Sequence, residues 1–181
     1  MSRIPAIDPA AATGKAQDLL SAVKSKLGLV PNMTRVMVNS PAVLEGYLGL
    51  NGALARGSLQ PKVREELALV VAQDNECDYC LSAHTAIGKM VGLTPEEIAQ
   101  SREGRSTDEH VEAALTFAKR VLATRGAVSD RDLSAVRAAG FSDGEIAEII
   151  AHVALNVLTN YFNKATEVDI DFPVVSFRKT N

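Results

Sequence analysis

"PKVREELALVVAQDNECDYCLSAH", residues 61–84, has a charged head, a long apolar run, and then two cysteines and a histidine. A helix that is apolar on most faces must be covered on most faces, so this run belongs in the middle of a fold. A second stretch follows the same plan. "DGEIAEIIAHVALNVLTNYFNKA", residues 143–165, is again headed by acidic residues and then turns nearly all apolar. These two helices are the expected central pair. Two such helices in one small domain also point to burial between subunits.

Helix signals continue outward from this pair. Ser40-Pro41 sets a cap residue before a proline suited to a first helical turn. Thr94-Pro95-Glu96-Glu97 and Ser142-Asp143-Gly144-Glu145 fit the capping-box pattern, and Ser129 with Asp132 is a weaker version. Gly57, Gly92, Gly126 and Gly140 each close an apolar-periodic stretch. The pattern predicts an all-α chain with helices near 10–27, 32–39, 41–56, 61–74, 77–91, 95–102, 107–124 and 129–163, the last broken at Gly140. The ending "VDIDFPVVSFRKTN" alternates and contains a proline, and it reads as an extended arm laid on a neighbouring subunit. The expected organisation is one domain over 1–181. It comprises an N-terminal helical arm (1–50), a core with the cysteine helix (55–125), C-terminal helices (126–165) and the extended tail (166–181).

Bulk properties narrow the function. A chain of 181 residues with 46% apolar side chains has material for a real core. A net charge of −3 argues against a nucleic-acid footprint. No apolar run reaches the ~18 residues of a membrane span, and the first residues carry no apolar signal core. The expected place is the cytoplasm, where two cysteines read as catalytic or metal-binding before they read as a structural disulfide. No Gly-rich nucleotide-binding turn is present, and no cofactor is expected.

On a helical wheel at ~100° per residue, Cys77 and Cys80 lie ~60° apart, and His84 falls within ~40° of both. All three share one narrow face at the beginning of a helix. Unpaired N–H groups there favour a thiolate. The two sulfurs can meet, so oxidation of one can be resolved by the other. A histidine one turn on can move a proton. Spacing alone leaves three readings open. The first is a redox dithiol with its own acid–base group. The second is zinc held by Cys77, Cys80 and His84 with Glu65 or His152. The third is two small apolar side chains in a core. A thioredoxin fold would need a strand–helix alternation this chain lacks. Arg64-Glu65-Glu66 heads the preceding helix, and a bend at Asp74-Asn75 lets a carboxylate fold back over the thiols. The sequence does not fix which glutamate does so.

The linked pattern of Glu65, Cys77-Asp78-Tyr79-Cys80 and His84 resembles the alkylhydroperoxidase D and carboxymuconolactone decarboxylase superfamily. The form CxYCxxxH is that of its peroxidase-related branch. Residues 55–125 fit as well, and "FSDGEIAEIIAHVALNVLTNYFN" is similar to the family's carboxy-terminal helix. The resemblance implies an all-α, alkylhydroperoxidase D-like fold whose subunits associate as trimers or hexamers. It implies hydroperoxide reduction without metal or flavin, with a protein thiol or dihydrolipoyl group as reductant. Cys80 would attack the peroxide, Cys77 would resolve the product as a disulfide, and Glu65 with His84 would relay the proton. Tyr79 stands where some members carry a second histidine; its hydroxyl donates a hydrogen bond but is a poor base. Decarboxylase members, which act on a lactone acid, do not depend on the cysteine pair. A non-catalytic oligomer that senses oxidants or binds zinc is the other alternative.

Tyr79 and His152 are the expected substrate contacts, although an imidazole inside an apolar run also reads as an interior histidine. Asn156, Asn160 and Asn163 share a helical face and read as a hydrogen-bonded seam between helices or subunits, or as pocket lining. His110, at a helix start, reads as solvated. Met33 and Met37, one turn apart, read as packed. "EGRSTDEH" reads as a solvated loop and cap.

Overall fold

A computed structural model describes residues 2–178 of the chain. Those residues contain nine α-helices and no strand. They are α1 (Gly14–Leu27), α2 (Asn32–Met37), α3 (Pro41–Leu54), α4 (Pro61–Asp74), α5 (Asp78–Met90), α6 (Pro95–Glu103), α7 (Glu109–Thr124), α8 (Asp130–Ala138) and α9 (Asp143–Thr166).

The apolar run of the opening stretch makes α4 the hub. Every residue from Leu67 to Ala72 is at most 2% exposed, and α4 packs against α5, α6, α7 and α9. Its two faces serve two cores. Leu69 and Ala72 join the cluster that holds both cysteines, Met33 and Met37. Leu67, Val70 and Val71 join the cluster of α7, α8 and α9 around Leu115, Phe117 and Ile149. Each such leucine stabilises the fold by about 1.5–3 kcal/mol of transfer free energy, so α4 anchors both halves.

The second expected central helix is only half covered. α9 packs against α4, α7, α3 and α5. It buries Ile146, Ile149 and Val153 but leaves Ile150, Leu158 and Tyr161 exposed. α3 is a similar case. Its sequence is apolar nearly all round, yet Leu44 is its one buried residue, and Val43 and Leu50 stand 40% exposed.

Local signals set the boundaries. The capping boxes at Thr94/Glu97, Ser129/Asp132 and Ser142/Glu145 are all formed. Helix α1 starts at Gly14, later than the expected position near residue 10. The carbonyl of Asp8 takes the amides of Ala11 and Ala12, and its side chain takes that of Ala10, which holds a turn there instead. Helix α7 starts at Glu109 rather than 107 because Asp108 caps the amides of His110 and Val111. Between α4 and α5 the chain turns sharply: Asn75 ends α4, Glu76 sits at φ 54°, and Cys77 caps α5 while its amide bonds Ala72.

Helix α9 runs on to Thr166, and the segment after it folds back on its own chain. Asp78 Oδ1 accepts from the Phe177 amide at 2.7 Å, and Ser82 Oγ accepts from the Val175 amide at 2.9 Å. Arg102 donates to the Ser176 carbonyl, and Gln73 donates to that of Phe177. Ile170, Phe172, Val175 and Phe177 pack against the cysteine-bearing cluster. The segment is thus strapped across the first turn of α5. Residues 179–181 of the expected tail lie outside the described residues.

Candidate active site

The first turn of α5 is built by its own cysteines. Cys77 is the N-cap, and its Sγ accepts from the Cys80 amide at 3.3 Å, in the place where an oxygen usually caps a helix. Cys77 and Cys80 are joined in a disulfide, with Cα atoms 5.3 Å apart. Both are 2% exposed or less. Cys77 therefore does not lie at an open mouth of the helix; the strap and the neighbouring core cover it.

One turn on, His84 faces the same side as Cys80, as the i, i+4 spacing requires. Its Nδ1 lies 2.8 Å from Glu65 Oε2, so of the two glutamates heading α4 it is Glu65 that turns to the histidine. An ionised Glu65 selects the tautomer with Nδ1–H, which leaves Nε2 free to take a proton. Glu66 points the other way. It is buried near Ser101 Oγ, and burial, with nearby Glu97 adding, pushes it up to about 7.

His84 and Glu65 open on a cavity of about 160 Å³ between α3, α4, α5 and α9. Tyr47 and Asn51 line it from α3, Arg64 from α4, and His152 and Asn156 from α9. Neither cysteine is part of the lining. His152 is 6% exposed and its Nε2 has no hydrogen-bond partner among the described residues. Burial first, and the Arg64 guanidinium second, hold its pKa below the ordinary histidine value, so it is neutral near pH 7. Burial likewise pushes the Tyr47 phenol up to about 12. A larger open groove, about 540 Å³, runs between α7 and α8; no cysteine or histidine lines it.

Tyr79 is placed elsewhere. Its hydroxyl donates to Asp171 Oδ1 at 2.9 Å and accepts from the Met33 amide at 3.1 Å, which fixes the tail and α2 rather than the cavity. Tyr79 is not among the residues that line the cavity of His84. His110 is exposed but not merely solvated: it stacks on Phe141 at 3.8 Å and bonds the Ala139 carbonyl.

The asparagine stripe splits into three tasks. Asn156 lines the cavity. Asn160 accepts from Asn75 Nδ2 at the α4–α5 bend. Asn163 donates through Nδ2 to Cys80 Sγ at 3.3 Å and to Met33 Sδ at 3.3 Å. A buried donor aimed at a sulfur favours its anionic form. The amide periodicity of α9 marks the face, but nothing in it names the partner. Arg64 likewise drew notice only as part of the charged head of α4. Among the described residues no group of three or more His, Cys, Asp and Glu side chains is placed to hold a metal ion. No helix among them is long and apolar enough to cross a membrane.

The same helical fold is found when the chain is compared with known proteins. Residues 41–124 match the model of the Carboxymuconolactone decarboxylase family. A peroxidase-related protein from Ralstonia eutropha JMP134, described as an alkylhydroperoxidase AhpD core, superposes with a TM-score of 0.84 at 26% identity, over 94% of this chain and 92% of that one. A peroxidase-related protein from Silicibacter sp. TM1040 gives 0.79 at 24% identity, over 97% and 94%. The debrominase Bmp8, as a Cys-to-Ala variant in complex with 2,3,4-tribromopyrrole, gives 0.73 at 18% identity, over 87% and 86%. No curated protein matches the chain. The matched segment and the likeness to the Ralstonia protein support the alkylhydroperoxidase D and carboxymuconolactone decarboxylase superfamily.

Proposed function

We propose that this protein is a thiol-dependent peroxidase that reduces small hydroperoxides through Cys77 and Cys80. The observation that carries the reading is the pairing of a buried, disulfide-forming Cys-x-x-Cys at a helix start with a Glu65–His84 pair one turn away. The peroxidase-related neighbours point the same way.

In the reduced enzyme, His84 takes the proton of Cys80, and Glu65 holds the imidazolium. The Cys80 thiolate attacks the terminal oxygen of the hydroperoxide. An S–O bond forms, the O–O bond breaks, and the departing alkoxide takes the proton from His84 to leave as an alcohol. Cys80 is then a sulfenic acid. Cys77 attacks its sulfur, the S–S bond forms, and hydroxide leaves as water on protonation. Two electrons from a protein thiol or dihydrolipoyl group, with two protons, restore the dithiol. Such a cycle belongs in a reducing compartment, which fits a cytoplasmic enzyme.

The half-covered α9 and the apolar α3 support association of several copies through these faces. The Bmp8 likeness brings a second reading, reductive removal of bromide from a small ring. The cavity volume is close to the about 150 Å³ that holds a benzene ring elsewhere.

The test is consumption of tert-butyl hydroperoxide or hydrogen peroxide with excess dihydrolipoamide. Many turnovers that vanish in Cys80→Ser and in Cys77→Ser support the cycle. A single oxidation per chain without turnover marks a sensor and ends the enzymatic reading. Bromide release from a bromopyrrole without peroxide turnover selects the second reading.

A further inference from the structure

The cavity beside His84 holds more donor capacity than a proton relay uses. Arg64 lines it and spends one nitrogen on the Leu59 carbonyl, at 2.8 Å. It has no carboxylate partner among the described residues. Both nearby carboxylates are already committed: Glu65 to His84, and Glu148 to the amides of Ser58 and Leu59. His152 lines the same cavity, more than nine-tenths buried, with Nε2 unpartnered among the described residues. Tyr47 and Asn51 add a phenol and an amide whose side chains bond nothing else among the described residues.

Leaving a guanidinium half-buried and a buried imidazole nitrogen unpaired is costly, and a site built this way is completed by an acceptor from outside. A neutral acceptor would answer the imidazole but not the cation. A carboxylate answers both: its two oxygens match the guanidinium fork and leave lone pairs for the imidazole, phenol and amide. Ala68 and Leu155 supply the apolar remainder of the wall.

We propose that this cavity recognises a small organic anion, a carboxylate on a body of roughly one ring, with Arg64 as the main anchor and His152 as its partner. The inference rests on reading the cavity as the substrate site and adds the substrate class: the reacting molecule carries its own carboxylate. The carboxylate then sits at Arg64, and the reacting end lies towards His84 on the neighbouring helix. Neutral alkyl hydroperoxides would be weaker substrates because they leave Arg64 unanswered.

The test uses binding, so that it stands apart from turnover. Calorimetric titration of the full-length protein with benzoate and with benzyl alcohol compares two ligands of similar size that differ in charge. Benzoate is expected to bind at least about tenfold more tightly, and Arg64→Gln to weaken it about ten- to a hundredfold while leaving benzyl alcohol within about twofold. Arg64→Lys should keep part of the preference, and His152→Leu should lose about tenfold. Thermal midpoints of the variants separate lost binding from lost folding. Should Arg64→Gln not fold, the two-ligand comparison on the native protein still decides. Equal affinity for the two ligands, no measurable binding of benzoate, or a preference that survives Arg64→Gln each overturns the proposal. Selective benzoate binding in a protein without peroxide turnover would keep the anion site and discard only the peroxidase reading. Peroxide turnover without benzoate binding would do the reverse.

Discussion

Replacing Asn163 by alanine removes a side-chain donor aimed at Cys80, and the size of the effect follows from the geometry. The Nδ2 group serves two sulfurs, Cys80 and Met33, each at 3.3 Å, so each receives one of its two hydrogens. A hydrogen bond to a charged group is worth about 1.5–3 kcal/mol. One pKa unit corresponds to about 1.4 kcal/mol. With sulfur as the acceptor the lower end applies, and the Cys80 thiol in the reduced protein should rise by about one unit. The assay is the pH dependence of alkylation by iodoacetamide in a Cys77→Ser background, followed by mass spectrometry. At pH 7 the variant should react about tenfold more slowly. Stability should fall little, because Asn163 Oδ1 is already buried without a partner and its removal relieves that cost. An unchanged titration curve in Asn163→Ala would refute the idea that α9 tunes the sulfur, and would leave activation to the α5 terminus and His84 alone.

Glu65→Gln keeps the shape of the pair but removes the charge that holds the His84 imidazolium; peroxide turnover should drop about a hundredfold with the thermal midpoint unchanged. Glu66, raised by burial to about 7, is bound to a proton more readily in the folded chain than in the unfolded one. Its contribution therefore turns destabilising as pH climbs from about 4.5 to 7, and it stays so above that. Urea midpoints should fall between pH 5 and pH 8 in the native protein and fall less in Glu66→Gln. Glu76→Gly places glycine at the left-handed position of the α4–α5 bend and should raise stability by about 0.5–1 kcal/mol in urea unfolding. Truncation before Pro173 removes most of the strap over α5 and should speed disulfide reduction by dithiothreitol about tenfold, read by free-thiol assay.

Much of the fold was legible because its signals are local. Capping boxes, the apolar run of residues 67–72 and the Gly140 break each act within a few residues, and each forms as read. The class of fold, all-α and alkylhydroperoxidase D-like, followed from these and from the linked Glu65, cysteine and His84 pattern. What spacing could not supply was which side chains meet across long separations. Glu65 and Glu66 are indistinguishable by composition, and only the packing of α5 and α6 on either side of α4 sends one to His84 and the other to Ser101. Asn163 reaches Cys80 across 83 positions, and no periodicity encodes that partner. Among the described residues Arg64 has no carboxylate partner, and a linear sequence cannot show a missing neighbour. The tail's own-chain contacts were not legible either, because alternation with a proline marks an extended segment without naming the surface it lies on.

That segment has a practical consequence at the bench. Phe177 donates to Asp78, immediately next to Cys77. A purification tag appended at the carboxy terminus would therefore hang from the turn that houses the sulfurs. At the amino terminus a tag would instead load Ser2 and Arg3, which bond Asp169, just beyond α9, and Thr166 at its end. Redox titrations of material tagged at opposite ends are a direct gauge of how firmly that closing segment is seated.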